Sequence, residues 1–186
     1  MIKMSRIGRQ PITIPAGVTV ELKGNTVNVS GPKGKLSREF HPDIVFTLDK
    51  NVLTVSRPSD SQLHRSQHGL SRTLLANMVQ GVSQGFEKGL EVSGVGYKVE
   101  KTGDKITARV GFSHPVVIAP VPGITLSVDG QTKMKVQGVD KETVGLMAAK
   151  IRAIKPPDAY KGKGIRYTGE AVRLKAGKTG KAVGKK

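Results

Sequence analysis

An α+β fold, built as two tandem duplicated domains and followed by a basic C-terminal tail, is the architecture this 186-residue sequence predicts. Alternating apolar residues mark many short strands, and only two stretches carry helical spacing. Matched positions also recur at an offset of about 80 residues, Gly31 with Gly111, Val55 with Val136, and Gly69 in the first helix with Gly145 in the second. Each copy reads as an antiparallel sheet covered by one helix. The expected domains are residues 1–82 and 83–170, with Gly81 to Lys88 as the junction and residues 171–186 as the tail.

In the first copy Val18, Val20 and Leu22 alternate up to Lys23, Gly24-Asn25 follows, and Thr26 to Ser30 resumes the alternation, which is a two-residue hairpin signature. Gly31-Pro32-Lys33-Gly34 is a turn. Strands are expected from Lys35 to Phe40, around Val45 to Leu48 and, after a turn at residues 49–51, from Val52 to Ser56. A helix follows, with Ser59 or Ser61 as its cap, Leu63, Leu70, Leu74 and Met78 on one stripe, and Gly81 at its end. The second copy offers strands at Leu90 to Val95, Tyr97 to Lys101 and Lys105 to Val110, then a turn from Gly111 to Pro115. Further strands span Val116 to Ala119, Ile124 to Val128 and Lys133 to Gln137. A helix opening at Asp140 shows Val144, Met147, Ala148 and Ile151 on one face and stops at Pro156-Pro157.

Charge points to the partner. Thirty-one Lys and Arg stand against 14 Asp and Glu, a formal net charge of +17, which suits a polyanion. Residues 161–186 hold nine of those cations and one acid, Glu170. From Ala176 onward there is almost nothing to bury, and disorder is expected unless a polyanion neutralises the segment. Aromatic residues at 4% and the lack of Trp favour two modest cores over one large one. Zero cysteines exclude disulfides and thiolate metal sites. Neither a signal peptide nor a membrane span is read, so a soluble intracellular chain is expected.

The candidate site runs from Pro156 to Tyr167. Lys161, Lys163 and Arg166 supply charge to phosphate, while Gly162 and Gly164 remove Cβ atoms so that main-chain N–H groups approach an anionic backbone. Tyr160 and Tyr167 frame the loop, either stacking on a base or anchoring it by packing. Lys133 and Lys135 read equally as a basic sheet face and as the solvent side of an edge strand. Lys33, Lys35 and Arg38 read as a turn with solvated side chains.

Four segments resemble the bacterial large-subunit ribosomal protein six family: residues 4–12, Gly31 to Gly34, Leu74 to Val82 and, most specifically, Pro157 to Ile165. The similarity covers nearly the whole chain, although Met1 to Lys3 lie outside the family's usual start, which leaves Met1 and Met4 as alternative first residues. The resemblance implies two duplicated α+β domains and a structural place in the large ribosomal subunit. There the chain is expected to bind large-subunit (23S) rRNA near the sarcin-ricin loop and stalk base and to support the translation-factor binding region. Its expected neighbours are ribosomal proteins of the stalk base, with translational GTPases nearby. Carried over to this sequence, the rRNA contacts centre on Tyr160, Lys161, Gly162, Lys163, Gly164, Arg166 and Tyr167, with Lys175 and Lys178 of the tail as additions.

Other functions fail on their residues. Ala176-Gly177-Lys178-Thr179 resembles the end of a phosphate-binding loop, but the required first glycine falls on Val172. Gly94-Val95-Gly96 puts Val99 where a dinucleotide fingerprint needs its third glycine. His64 and His68 stand at i, i+4, yet Arg65 replaces the required glutamate and no third ligand is apparent, so a wet helix face is expected in place of a metal. His41 and His114, each before a proline, read as loop residues. No catalytic residue, cofactor or small-molecule substrate is expected. Neither helix carries the basic stripe of a duplex-DNA reader or of a membrane-surface helix.

Overall fold

The computed structural model describes residues 6–177. One unit holds Phe86 and the described residues before it, together with Val139–Lys141; the other holds Glu87–Gly138 and the described residues from Glu142 onward.

The first unit begins with β1 (Ile12–Thr13), β2 (Thr19–Lys23), β3 (Thr26–Gly31) and β4 (Gly34–Glu39). β5 (Val45–Asp49), β6 (Val52–Ser56) and α1 (Gln62–Ser83) follow. The expected hairpin forms, with Lys23 opposite Thr26 and Gly24 at φ +58°, in the left-handed region where glycine carries no Cβ penalty. β2, β3 and β4 make one antiparallel sheet, and β1, β6 and β5 another. Their inward residues alternate as the period-two pattern demands, Val27 and Val29 from β3 and Leu53 and Val55 from β6. Leu75, Met78, Val79 and Val82 of α1 close the core.

Three expectations about α1 are corrected. Ser61 does cap it, accepting the His64 N–H at 3.2 Å, but Leu63 and Leu70 are exposed and the buried face runs through His68, Ser71, Leu75, Met78, Val79 and Val82. The leucine stripe misled because the first turns bury polar side chains. His68, expected on a wet face, is 4% exposed, donates from Nε2 to the Val55 carbonyl at 2.9 Å and packs where a Cβ on Gly8 would collide with it. Its hydrogen bond satisfies a group that is otherwise costly to bury. Gly81, expected at the helix end, lies inside α1, which runs on to Ser83. It is glycine because the Val139 carbonyl occupies the position of its missing Cβ.

The second unit repeats the order. β7 (Phe86–Ser93) is followed by β8 (Lys98–Thr102), β9 (Lys105–Arg109), β10 (Val116–Ile118), β11 (Ile124–Asp129), β12 (Lys133–Gly138) and α2 (Lys141–Ile154). β8, β9 and β10 repeat the three-stranded sheet, and β7, β12 and β11 repeat the arrangement of β1, β6 and β5. Val144, Met147, Ala148 and Ile151 are buried, as the helical spacing predicts. The copies differ by one element, at a place where the sequence predicts a loop. β13 (Gly164–Tyr167) pairs antiparallel with β7, from Gly164 opposite Ser93 to Tyr167 opposite Leu90.

Gly81→Ala is expected to destabilise the chain by about 1–3 kcal/mol through overpacking. Gly145→Ala, where a Cβ meets open space, is expected to stabilise by about 0.4–1 kcal/mol. Urea midpoints of the two variants should move in opposite directions; a Gly81→Ala chain as stable as the native one would show that the backbone at Val139 yields freely.

Candidate nucleic-acid interface

Two prolines cannot extend α2, so the chain leaves its end and must turn before β13. Asp158 builds that turn. Its N–H donates to the Lys163 carbonyl at 2.8 Å and its carbonyl accepts the Gly162 N–H at 3.0 Å. Its Oδ2 accepts the N–H groups of Lys161 at 2.9 Å and Tyr160 at 3.2 Å, an Asx-type closure of a tight loop. The Lys161 N–H, more than any other group, holds the Asp158 carboxyl below the usual aspartate range; partial desolvation opposes it and the Tyr160 N–H adds to it.

The two glycines have different tasks. Gly162 sits at φ +66°, the left-handed conformation of the turn. Gly164 is buried at φ +147°, and a Cβ there would lie 2.6 Å from the Pro156 carbonyl oxygen. The Ile165 N–H donates to the Lys155 carbonyl at 2.7 Å, so the residues just past the end of α2 and the first of β13 touch backbone to backbone. From the glycine spacing, main-chain N–H groups are expected to approach phosphate. In the structure those of Tyr160, Lys161 and Gly162 are engaged inside the loop, and what the loop presents outward is side-chain charge.

Tyr160 is 59% exposed and Lys161 is exposed, with Lys163 half-buried beside them. The Lys175 N–H donates to the Ala159 carbonyl at 2.7 Å, which brings the segment carrying Arg173 and Lys175, both exposed, back against the loop. No salt bridge among the described residues engages the side chains of Lys161, Lys163, Arg173 or Lys175. Arg173 was missed by sequence reasoning, since nothing in its neighbourhood announces that the chain returns. Lys178 lies outside the described residues.

Arg166 and Tyr167 are placed differently. Arg166 pairs across the strands with Glu91 of β7 at 3.3 Å, and its Nε is buried without a hydrogen-bond partner among the described residues. The Tyr167 ring has the Lys88 ammonium 5.0 Å from its centroid and the Arg152 guanidinium 5.6 Å from it. Arg152 also forks onto Glu170 at 2.5 and 3.1 Å, and Glu170 accepts the Tyr167 N–H at 2.9 Å. Arg152 first, and the Tyr167 N–H after it, hold the Glu170 carboxyl below its usual range; Glu170 in turn raises Arg152. These residues fasten β13 to β7 and to α2, and the cationic front is Lys161, Lys163, Arg173 and Lys175.

Among the described residues no cluster of three His, Asp or Glu could hold a metal ion, and no helix is long and apolar enough to cross a membrane. A family model for ribosomal protein L6 matches residues 14–85 and again residues 93–168. The chain is 56% identical over 183 residues to the large ribosomal subunit protein uL6 of Moorella thermoacetica, covering 98% of this chain and 100% of that protein. It is 61% identical over 178 residues to the protein of the same name from Geobacillus stearothermophilus, covering 96% and 100%. The counterpart from Halalkalibacterium halodurans is 55% identical over 178 residues, with the same two coverages.

Because the folded Asp158 carboxyl is depressed, its hold on the loop is complete above the ordinary aspartate range and is lost as pH falls through the folded value. In an acid titration followed by nuclear magnetic resonance, the Tyr160 and Lys161 amide shifts should change together, below the pH at which exposed aspartates titrate. Independent changes at the ordinary aspartate pH would remove Asp158 from this role.

Proposed function

The chain belongs to the ribosomal protein L6 family, and from that membership we propose that it is a structural constituent of the large ribosomal subunit, working in the cytoplasm on the ribosome. Within it, the second unit binds large-subunit (23S) rRNA near the sarcin-ricin loop and stalk base, beside neighbouring ribosomal proteins. It thereby supports the region where translational GTPases bind. The family is structural, and its chemistry is recognition without catalysis.

The observation that carries the rRNA reading is the separation of cations in the second unit. Arg152 and Arg166 are held by carboxylates, whereas Lys161, Lys163, Arg173 and Lys175 stand on one loop and the segment hydrogen-bonded to it. Each such side chain that neutralises a phosphate releases condensed counterions, and the sum sets an affinity that falls with salt. Selectivity then comes from shape. A loop pinned by Asp158, Gly164 and β13 presents its charges in one arrangement, which suits the phosphates and 2′-hydroxyls of folded RNA. Tyr160 adds an exposed ring to that front.

Alanine at Lys161, Lys163 and Lys175 together should weaken binding to large-subunit rRNA and lower the slope of log affinity against log salt by about two to three. Alanine at Lys33, Lys35 and Arg38 should leave both nearly unchanged. Filter binding over a salt series, with subunit incorporation measured in cells, checks this; equal losses in the two triple variants would sink the assignment of the loop.

A further inference from the structure

The chain has four Phe, three Tyr and no Trp, and two of those seven rings are exposed, Tyr160 at 59% and Phe112 at 44%. Tyr160 stands in the loop already described. Phe112 stands in the turn between β9 and β10, beside His114.

The Phe112 and His114 rings are stacked, with centroids 6.3 Å apart and planes 22° from parallel. The Lys155 ammonium lies 5.1 Å from the Phe112 centroid. Lys155 directly precedes Pro156, and its carbonyl accepts the Ile165 N–H, so this aromatic pair adjoins the root of the cationic loop. The turn is also braced from behind. A Cβ on Gly111, at φ +79°, would come within 2.9 Å of the Tyr97 hydroxyl, and one on Gly94 within 2.7 Å of the same ring. Tyr97 therefore packs closely against the backbone of both turns.

We propose that Phe112 and His114, with Lys155, form a stacking platform for an unpaired nucleobase of the RNA whose phosphates meet Lys161 and Lys163. The proposal rests on the rRNA reading given above and adds a second contact of a different kind. Two near-parallel rings with exposed area offer a π-face that any base can cover, and a cation beside them attracts the adjoining phosphate. A purely electrostatic loop does not distinguish a bulged strand from a paired one; a platform does. The Phe112 ring keeps exposed area beside His114, and the Lys155 ammonium next to it favours a nucleotide over an apolar peptide.

The test uses the full chain and three probes: purified large-subunit rRNA, a short RNA hairpin with one bulged 2-aminopurine, and the same hairpin fully paired. The native chain should prefer the bulged hairpin and quench its fluorescence. Phe112→Ala should lose about five- to one-hundred-fold in affinity for the bulged hairpin, with little change for the paired one. Phe112→Leu, which keeps an apolar side chain of similar size, should behave likewise and so separates loss of stacking from loss of fold. Equal binding of both hairpins by the native chain, or a preference retained by Phe112→Leu, overturns the platform and leaves it a brace for the turn. Binding of the rRNA with neither hairpin bound also overturns the platform alone. Failure to bind any of the three RNAs overturns the rRNA reading with it.

Discussion

A chain that leaves a helix through two consecutive prolines has to be caught, because its polar backbone can neither continue the helix nor stay unpaired. In the second unit it is caught by the pairing of β13 with β7, and the candidate interface is arranged around that pairing. Ile165 is completely buried in the strand, a contribution of about 1.5–3 kcal/mol from apolar burial. Gly164 lets the strand approach the end of α2, and the Arg152–Glu170 fork ties the far end of the strand to the same helix. Between these fixed ends the loop has little freedom left. Asp158 then sets its internal geometry, and the lysines take their positions from a frame built by other residues.

The duplicated plan makes this addition visible. The first unit ends its series at α1, whereas the second carries one more strand, at the edge of the sheet formed by β11, β12 and β7. An open edge strand is a liability. Capping it with β13 closes one side of β7 and extends a loop from the cap. Packing and charge are thus carried by adjacent residues of one short segment, with Ile165 and Gly164 packed inward and Lys161 and Lys163 facing out or at the margin. The division between paired cations and those of the proposed interface follows the carboxylates: Glu91 and Glu170 hold Arg166 and Arg152.

Much of this was legible in the residues. Val27, Val29, Leu53 and Val55 alternate as half-buried strands must, and Val144, Met147, Ala148 and Ile151 share one helical face. Less legible was whatever depended on contacts distant in sequence. The stripe of Leu63 and Leu70 competes on paper with the real face of α1, and only the fit of His68 beneath Gly8 and against Val55 decides between them. Gly81 has the look of a helix terminator until Val139 is placed beside it. At the site, charge and glycine spacing were visible from Tyr160 to Tyr167. The conversion of residues 164–167 into a strand required Glu91 and Leu90 opposite them, and the return of Arg173 and Lys175 hangs on one backbone hydrogen bond to Ala159.

The packing of Val139 against Gly81 bears on the order in which the polypeptide can acquire its structure during synthesis. The first unit includes Val139–Lys141, and Val139 packs on its core beside residues that precede it by more than fifty positions. A ribosome translating this message finishes α1 and must then pass through the whole of Glu87–Gly138 before the missing piece emerges. At about 5–20 residues per second that is a delay of roughly 3–10 s. During it the N-terminal half exists with a gap beside Gly81. The nascent N-terminal half therefore cannot finish as an independent bead, and a chain truncated between the two copies removes a part of the first along with the second.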